Sequence, residues 1–579
     1  MKRLFLVVIV AAAAAFAISY GLRHVAMTRH AVVAALLPSG TVLFAQIPDF
    51  DRTRDQWHES DIYQLYHEPA VQEFLQKPLT KLPQRDAVSQ TLHEIERLDP
   101  KDAFLGVVSI ENNFPKVLAG FRFRGSREEA EKIISQWCRQ SLNLAPNAPH
   151  ETVEYAQHQI EVMSIGPNQL LTVYDGDWFL ASNDLEQLKA LLDRVDHRPA
   201  AATGPAGSRQ DRQSTLEADQ DFRTAVAHMP SSYALLFYLQ PKTIAEKLNS
   251  LEAQAGRQIP PEQRTGLWQM RSLCGAMRFD KGKIHDVWFV GMPKLQNAKL
   301  TRSAAALGTT DTFFYLASLL NPQSFDAINQ AGANAPLGGW LQKFLQAMAH
   351  SGITSDDWKG AFDLELGALA DWSADARWPS LIATLPVKDS ARAEKIVNAL
   401  TLAIDEDGNW KRTEKDGTHY FSLPSPASFV AITPTIALSN RLLIAGLDPH
   451  SVEVAMKRNV SSAMVLTRSQ NYKSAARLLP EPTNVFAYID MQLMYSRLDA
   501  SLRPMLLLAA LLPAISDHFD VGKLPPPEVV TRHLSPIVFS QRYDGDGYVA
   551  ESIGPVTFNQ AVIVVGVPTI LWLSRSSTH

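Results

Sequence analysis

Short apolar runs alternate with amphipathic helical patterns along most of this chain. The runs Phe104–Ile110 and Val117–Phe123 predict a pair of strands. Ser126 then precedes Glu129 by three residues, a spacing that lets the two side chains cap the first turn of a helix. Because strand pairs and capped helices keep alternating in this way, we expect an α+β fold with antiparallel sheets covered by helices.

The pattern also repeats over a long distance. The stretch Gln220–Tyr238 (QDFRTAVAHMPSSYALLFY) returns as Gln470–Tyr488 (QNYKSAARLLPEPTNVFAY), at an offset of 470 − 220 = 250. Further short matches keep the same order in the chain: Phe114-Pro115 with Trp378-Pro379, Arg278 with Arg542, and Pro260-Pro261 with Pro526-Pro527. We therefore predict an internal duplication that produces two tandem related halves, residues 37–297 and residues 298–557.

Two segments break the repeat. The first half carries extra residues in an Ala/Gly/Pro/Ser/Gln-rich stretch, which predicts a flexible loop over about residues 195–220. The second half carries extra residues after Tyr488, and they coincide with the apolar run Met505–Ile515. Arg503 and Asp517 bound 13 uncharged residues there, too few to span a membrane.

This apolar run is the best candidate for a functional surface. One interpretation is a buried core helix, and the other is a helix that contacts a membrane or a protein partner, since extra apolar surface marks interaction sites. The residues that would form such a surface are Met505, Leu506, Leu507, Leu508, Leu511, Leu512 and Ile515.

Both ends of the chain carry long uncharged stretches. Lys2 and Arg3 precede 19 uncharged residues, Leu4–Leu22, so residues 1–36 are either a cleaved signal peptide or an N-terminal membrane anchor. By the positive-inside rule, the body then lies on the periplasmic or extracellular side, anchored in the inner membrane. Residues 558–579 are either a C-terminal membrane segment or a terminal strand, because Val562–Val565 are β-branched.

Charge and motifs narrow the chemistry. The net charge is −5 with both signs interspersed, which argues against nucleic acid as a partner. The phosphate-loop, nucleophile-elbow, H-E-x-x-H and C-x-x-C motifs are absent from the sequence, so we predict no catalytic residue, no cofactor and no metal site. Cys138 and Cys274 form either two buried thiols, which we favour, or one disulfide.

The Leu37-Pro38-Ser39-Gly40-Thr41 opening, together with the duplicated body, resembles a family of exported, membrane-anchored bacterial proteins of unknown function. That resemblance implies a location in the cell envelope and supplies no site residues. Our hypothesis is an envelope-anchored, non-enzymatic binding or scaffold protein. The alternatives are an exported enzyme with a site between the halves and a lipid-handling protein.

Overall fold

The computed structural model describes residues 33–81, 85–111, 114–142, 150–165, 168–196, 215–254, 269–320, 346–348, 350–405, 408–424, 432–461, 465–509 and 516–560. The N-terminal segment, most of the predicted 195–220 loop and the C-terminal run from residue 561 lie outside these residues. The predictions made for those segments are therefore neither confirmed nor contradicted.

Within the described residues, twenty strands form one antiparallel sheet. The first ten are β1 (Leu43–Ile47), β2 (Pro100–Glu111), β3 (Phe114–Phe123), β4 (His150–Tyr155), β5 (His158–Ile165), β6 (Asn168–Asp175), β7 (Trp178–Ser182), β8 (Leu235–Leu239), β9 (Ser272–Asp280) and β10 (Lys283–Gly291). The second ten are β11 (Thr312–Leu319), β12 (Glu365–Asp371), β13 (Ser380–Pro386), β14 (Lys411–Lys415), β15 (Thr418–Ser422), β16 (Thr435–Leu438), β17 (Leu442–Gly446), β18 (Val485–Ile489), β19 (Ile537–Tyr543) and β20 (Tyr548–Gly554).

The helices fall between these strands. Those of the first half are α1 (Phe50–His58), α2 (Asp61–Tyr66), α3 (Pro69–Thr80), α4 (Arg85–Leu98), α5 (Arg127–Leu142), α6 (Leu185–Val195), α7 (Gln220–Ala227) and α8 (Pro241–Gln254). Those of the second half are α9 (Ser355–Ala361), α10 (Ser390–Ile404), α11 (Pro449–Ser461), α12 (Val465–Arg468), α13 (Gln470–Ala476), α14 (Met491–Ala509) and α15 (Pro527–Thr531).

The spatial order of the strands has an internal symmetry. From the outer edge inward, the first ten strands run β4-β5-β6-β7-β3-β2-β1-β8-β9-β10. From the other edge inward, the second ten run β14-β15-β16-β17-β13-β12-β11-β18-β19-β20, which is the same order. Each strand of one half therefore has a counterpart in the other half.

The two halves join through equivalent strands. β10 pairs antiparallel with β20 from Ile284–Gly554 to Val290–Tyr548, and Val287 lies opposite Glu551. These two residues differ by 551 − 287 = 264, which is also the offset between Arg278 and Arg542. A local twofold axis therefore passes between Val287 and Glu551.

The predicted fold, two tandem halves each of antiparallel sheets covered by helices, is wrong, because the described strands form a single sheet. Each half ends in a strand whose free edge would expose unpaired backbone N–H and C=O groups. Pairing β10 with β20 satisfies both edges and merges the halves into one sheet.

Alternating side chains place apolar cores on both faces of the sheet. On one face, Leu118 and Leu180 pack with Leu188 of α6, and their second-half counterparts Ile382 and Ile444 pack with Val452 of α11. On the opposite face, Phe123 and Phe179 pack with Ile133 of α5, while Leu385 and Leu443 pack with Ile396 of α10. The strands β3, β7, β13 and β17 are thus covered by helices on both faces.

The two outermost edges of the sheet are β4 and β14, which each pair on one side. Every residue of β14 is exposed, and its sequence is Lys-Arg-Thr-Glu-Lys. Charged edge strands discourage pairing with another sheet. The structure therefore gives no reason to expect growth of the sheet through this edge.

Candidate docking surface

The predicted functional residues lie at the C-terminal end of α14. Met505, Leu506, Leu507 and Leu508 are exposed by 41%, 36%, 53% and 71%. Leu511, Leu512 and Ile515 lie outside the described residues. For the four described side chains, exposure does not fit the interpretation as a buried core helix, because such a helix covers its apolar residues.

Polar contacts fix the course of α14 up to this point. Asp490 accepts a hydrogen bond from the backbone N–H of Leu493 at 3.0 Å and so caps the helix. Arg497 donates to the carbonyl of Trp372 at 3.0 Å. Arg503 pairs with Asp499 at 2.7 Å and donates to the carbonyl of Pro525 at 2.7 Å. The helix is therefore held by the body, and its apolar residues follow directly after the last of these contacts.

A turn between β12 and β13 meets the end of α14. The guanidinium of Arg377 lies 3.4 Å from the sulfur of Met505 and 5.6 Å from the ring centroid of Trp378. Trp378 is 49% exposed. The turn thus places an aromatic side chain and a cation next to the exposed apolar residues of α14.

Three more exposed apolar residues lie at this end of the sheet. Ile382 pairs with Gly446, which places Leu381 and Leu447 next to each other one step further along β13 and β17. The N–H of Thr433 donates to the carbonyl of Leu447 at 2.9 Å, which brings Ile432 to the same end. Their exposed fractions are 43% for Leu381, 40% for Leu447 and 42% for Ile432. We call these three residues, Trp378 and Met505–Leu508 together the apolar end.

A second group of interest lies where the halves join. Arg278 donates to Nδ1 of His285 at 3.0 Å, and Nε2 of His285 lies 3.3 Å from Glu551. Arg542 donates to the other oxygen of Glu551 at 2.5 Å. Burial alone would raise the pKa of Glu551, but the hydrogen bonds from His285 and Arg542 outweigh it and lower this pKa. We call these four residues the junction cluster.

The junction cluster is a closed set of partners. Both ring nitrogens of His285 are engaged, and both oxygens of Glu551 accept hydrogen bonds. A general base needs a free acceptor within reach of a substrate proton. The arrangement therefore explains how buried charged groups are satisfied between the halves better than it explains catalysis.

The structure also brings together three residues that the sequence patterns did not connect. Nε2 of His158 lies 3.0 Å from Asp196, and Nδ1 lies 3.9 Å from Asp175. The three side chains could each offer one atom to a cation, since these atoms lie within 4.8 Å of one another. The His158–Asp196 hydrogen bond also ties the β4–β5 turn to the end of α6, which is a structural role. Because these three residues are far apart in sequence, they show no metal-ligand spacing that the sequence analysis could have detected.

The two cysteines do not form a disulfide. Cys274 is fully buried and lies between Tyr238 and Phe289 in the sheet. Burial raises the pKa of Cys274 to about 12 and that of Cys138 to about 11. Both thiols are protonated at neutral pH and are therefore weak nucleophiles.

Comparisons with known proteins add little to this geometry. No protein-family model matches the chain, and no curated protein matches it. Among solved structures, crystal form I of TP0453 has 7% sequence identity and a TM-score of 0.23, over 47% of this chain and 82% of that one. Crystal form IV of TP0453 has 6% identity and a TM-score of 0.24, over 45% and 79%. Similarity this weak carries no argument about function.

In the part of the chain that the structure describes, no helix combines the length and apolar character needed to cross a bilayer.

Proposed function

We propose that this protein is an exported, envelope-anchored, non-enzymatic binding or scaffold protein that docks through the apolar end of its second half. The observation that carries the proposal is the exposure of Met505–Leu508 beside Trp378. Burying a fully exposed Leu side chain contributes roughly 1.5–3 kcal/mol, so covering this group would provide substantial binding energy.

The surroundings of the apolar end suit a docking role. Arg497 and Arg503 hold α14 against the body, so the exposed residues do not need to be ordered when a partner binds. Preorganisation of this kind reduces the entropy lost on association. The continuous sheet then connects the docked end to the rest of the chain.

The alternative of an enzyme with a site between the halves has one observation in its favour, the buried His285–Glu551 pair. That pair is enclosed by Arg278 and Arg542, which occupy the positions a substrate would need. A binding or scaffold protein therefore agrees better with the arrangement than an enzyme does.

Site-specific labelling in cells that make the protein tests this function. Leu507→Cys and Leu478→Cys are compared in a Cys138→Ala background, with a membrane-impermeant maleimide and with total reactivity measured after denaturation in SDS. Leu478 is 49% exposed, close to the 53% of Leu507, and serves as the matched control. We expect the Leu478→Cys variant to react readily and the Leu507→Cys variant to be protected by about fivefold or more, since a docked residue loses access to water.

Equal labelling at both positions would reject the docking surface. Failure to label the Leu478→Cys variant in intact cells, with full labelling after the cells are opened, would instead reject the exported location.

A further inference from the structure

We infer that the partner of the apolar end is the surface of an anionic lipid bilayer. This inference rests on the proposed docking function and adds the chemical identity of the partner. The residues that support it lie at the end of α14, on the β12–β13 turn, and at Lys77 and Lys81 with their partners Ser516 and Asp517.

The distribution of exposure around α14 favours lipid over a protein groove. Met505–Leu508 are four consecutive positions, which together cover about 300° of the helix circumference. Exposure rises from 36% at Leu506 through 53% at Leu507 to 71% at Leu508. A helix bound in a protein groove presents one stripe at spacings of three and four residues. A helix end that is apolar on every side suits a medium that surrounds it, as the hydrocarbon of a bilayer does.

The β12–β13 turn carries the residue types found at membrane interfaces. Trp is enriched at the level of the lipid headgroups because its ring is apolar and its N–H is polar. Trp378 is 49% exposed, and the Arg377 guanidinium stacks 5.6 Å from its ring centroid. In this geometry the indole can enter the interface while the guanidinium reaches a headgroup phosphate.

Positive charge lies near both ends of the apolar stretch. Arg377 contacts Met505 on one side. On the other side, Lys77 of α3 and Lys81, which follows this helix, donate to the carbonyls of Ser516 and Asp517. A thioether, an aromatic ring and backbone carbonyls carry no negative charge, so these contacts do not cancel the three positive charges.

Acidic groups also occur nearby and limit the expected attraction. Asp499 is neutralised by its pair with Arg503. Asp375 lies two residues before Arg377 in the sequence, and Asp517 is the acidic residue whose backbone carbonyl accepts from Lys81. We therefore expect insertion of the apolar residues to provide most of the binding and anionic lipid to strengthen it.

Depth-dependent fluorescence quenching tests the inference with the full chain. Leu507→Cys and, separately, Leu508→Cys are labelled with an environment-sensitive fluorophore in the Cys138→Ala background, with Leu478→Cys as the control. The proteins are reconstituted in phosphatidylcholine vesicles with or without phosphatidylglycerol, and lipid-borne spin labels serve as quenchers. An N-terminal anchor would bring all three variants to the vesicle, so only the local depth of the label separates them.

We expect quenching at positions 507 and 508 to exceed that at 478 by about threefold or more in the anionic vesicles, since an inserted side chain lies among the acyl chains. Arg377→Gln should reduce the difference between anionic and neutral vesicles. Quenching at 507 and 508 no greater than at 478 would overturn the lipid inference. If the Leu507→Cys variant is nevertheless protected in cells, the docking function stands and the partner is a protein; if it is not protected, the docking function itself fails.

Discussion

Equivalent ends of the two halves have the same backbone and different surfaces. In the first half, Asn183 donates to the carbonyl of Pro115 at 2.7 Å and accepts from the N–H of Val117 at 2.8 Å. Lys116 adds ion pairs to Glu111 at 2.8 Å and Asp184 at 3.0 Å. Polar side chains therefore hold this end of the first half together.

In the second half, Asp375 and Asp448 keep the acidic character of Glu111 and Asp184, but the residues that would bind there are replaced. Leu447 replaces Asn183 and Ser380 replaces Lys116, both at an offset of 264 (447 − 183 and 380 − 116). Leu447 is exposed by 40% and its neighbour Leu381 by 43%. A shared fold thus supports a polar surface in one half and an apolar surface in the other, which is why we assign docking to the second half alone.

The two halves form one body only if the contacts between them are stable, and a substitution in the junction cluster tests those contacts. Glu551→Ala leaves His285 and Arg542 without their buried carboxylate, so we expect a loss of about 3–5 kcal/mol in the free energy of unfolding, measured by urea denaturation. Glu414→Ala on the exposed edge strand β14 is the control, with an expected change within about 0.5 kcal/mol. Equal effects of the two substitutions would contradict the role of the cluster.

The same carboxylate predicts a pH dependence. The pKa of Glu551 is lowered in the folded protein. Its contribution is therefore present above the unfolded pKa of about 4.3 and is lost as the pH falls through the folded value. We expect the stability gap between the wild-type protein and Glu551→Gln to be large at pH 7 and to narrow below about pH 4. If the difference in the free energy of unfolding between the two proteins stays constant with pH, the ionised Glu551 carboxylate does not contribute in this way.

Exchanging the residues at the compared ends sharpens the contrast. Asn183→Leu removes two hydrogen bonds at a solvent-exposed position, so we expect a destabilisation of about 1 kcal/mol by thermal or urea unfolding. Leu447→Asn should change stability by less, since Leu447 is partly exposed, and should reduce docking. If Asn183→Leu is neutral, the polar closure of the first half is not a stabilising feature.

The most conservative exchange concerns a position where the halves differ in the core. Val538 is the counterpart of Cys274, at 538 − 274 = 264, and both residues are fully buried. Cys274→Val therefore introduces a residue that the same backbone already accommodates, and we expect a change below about 1.5 kcal/mol. A larger loss, measured by the same urea titration, would show that the two cores are not packed alike.

Local patterns predicted local structure well. The strand pair of residues 104–110 and 117–123 is confirmed by β2 and β3. The Ser126 hydroxyl accepts from the N–H of Glu129 at 3.2 Å, which is one of the two capping contacts predicted, while the Glu129 carboxylate accepts from Arg97. The merging of the halves was missed because the pairing of Val287 with Glu551 depends on contacts far apart in sequence. The two sets of ten strands share one spatial order, but they form a single sheet and not the two tandem units that the repeat predicted.

The candidate surface was predicted in part. The apolar run after Tyr488 indicates Met505–Leu508, but the sequence patterns indicate Trp378 only as a repeat of Phe114 and do not indicate Leu381, Ile432 or Leu447. These residues come together only because β12, β13, β16 and β17 end at one side of the sheet. The substitution of Leu447 for the turn residue Asn183 was the available signal, since a polar turn residue is seldom replaced by an exposed leucine.

One matched pair tests the central claim most directly. Phe114 and Trp378 occupy equivalent positions, at an offset of 378 − 114 = 264, and are exposed by 50% and 49%. Fluorophores are attached to Phe114→Cys and Trp378→Cys, in the Cys138→Ala background and in anionic vesicles. We expect strong quenching by lipid-borne spin labels at position 378 and little at position 114. Equally strong quenching at the two positions would contradict docking through the second half alone, and absent quenching at both would contradict lipid as the partner.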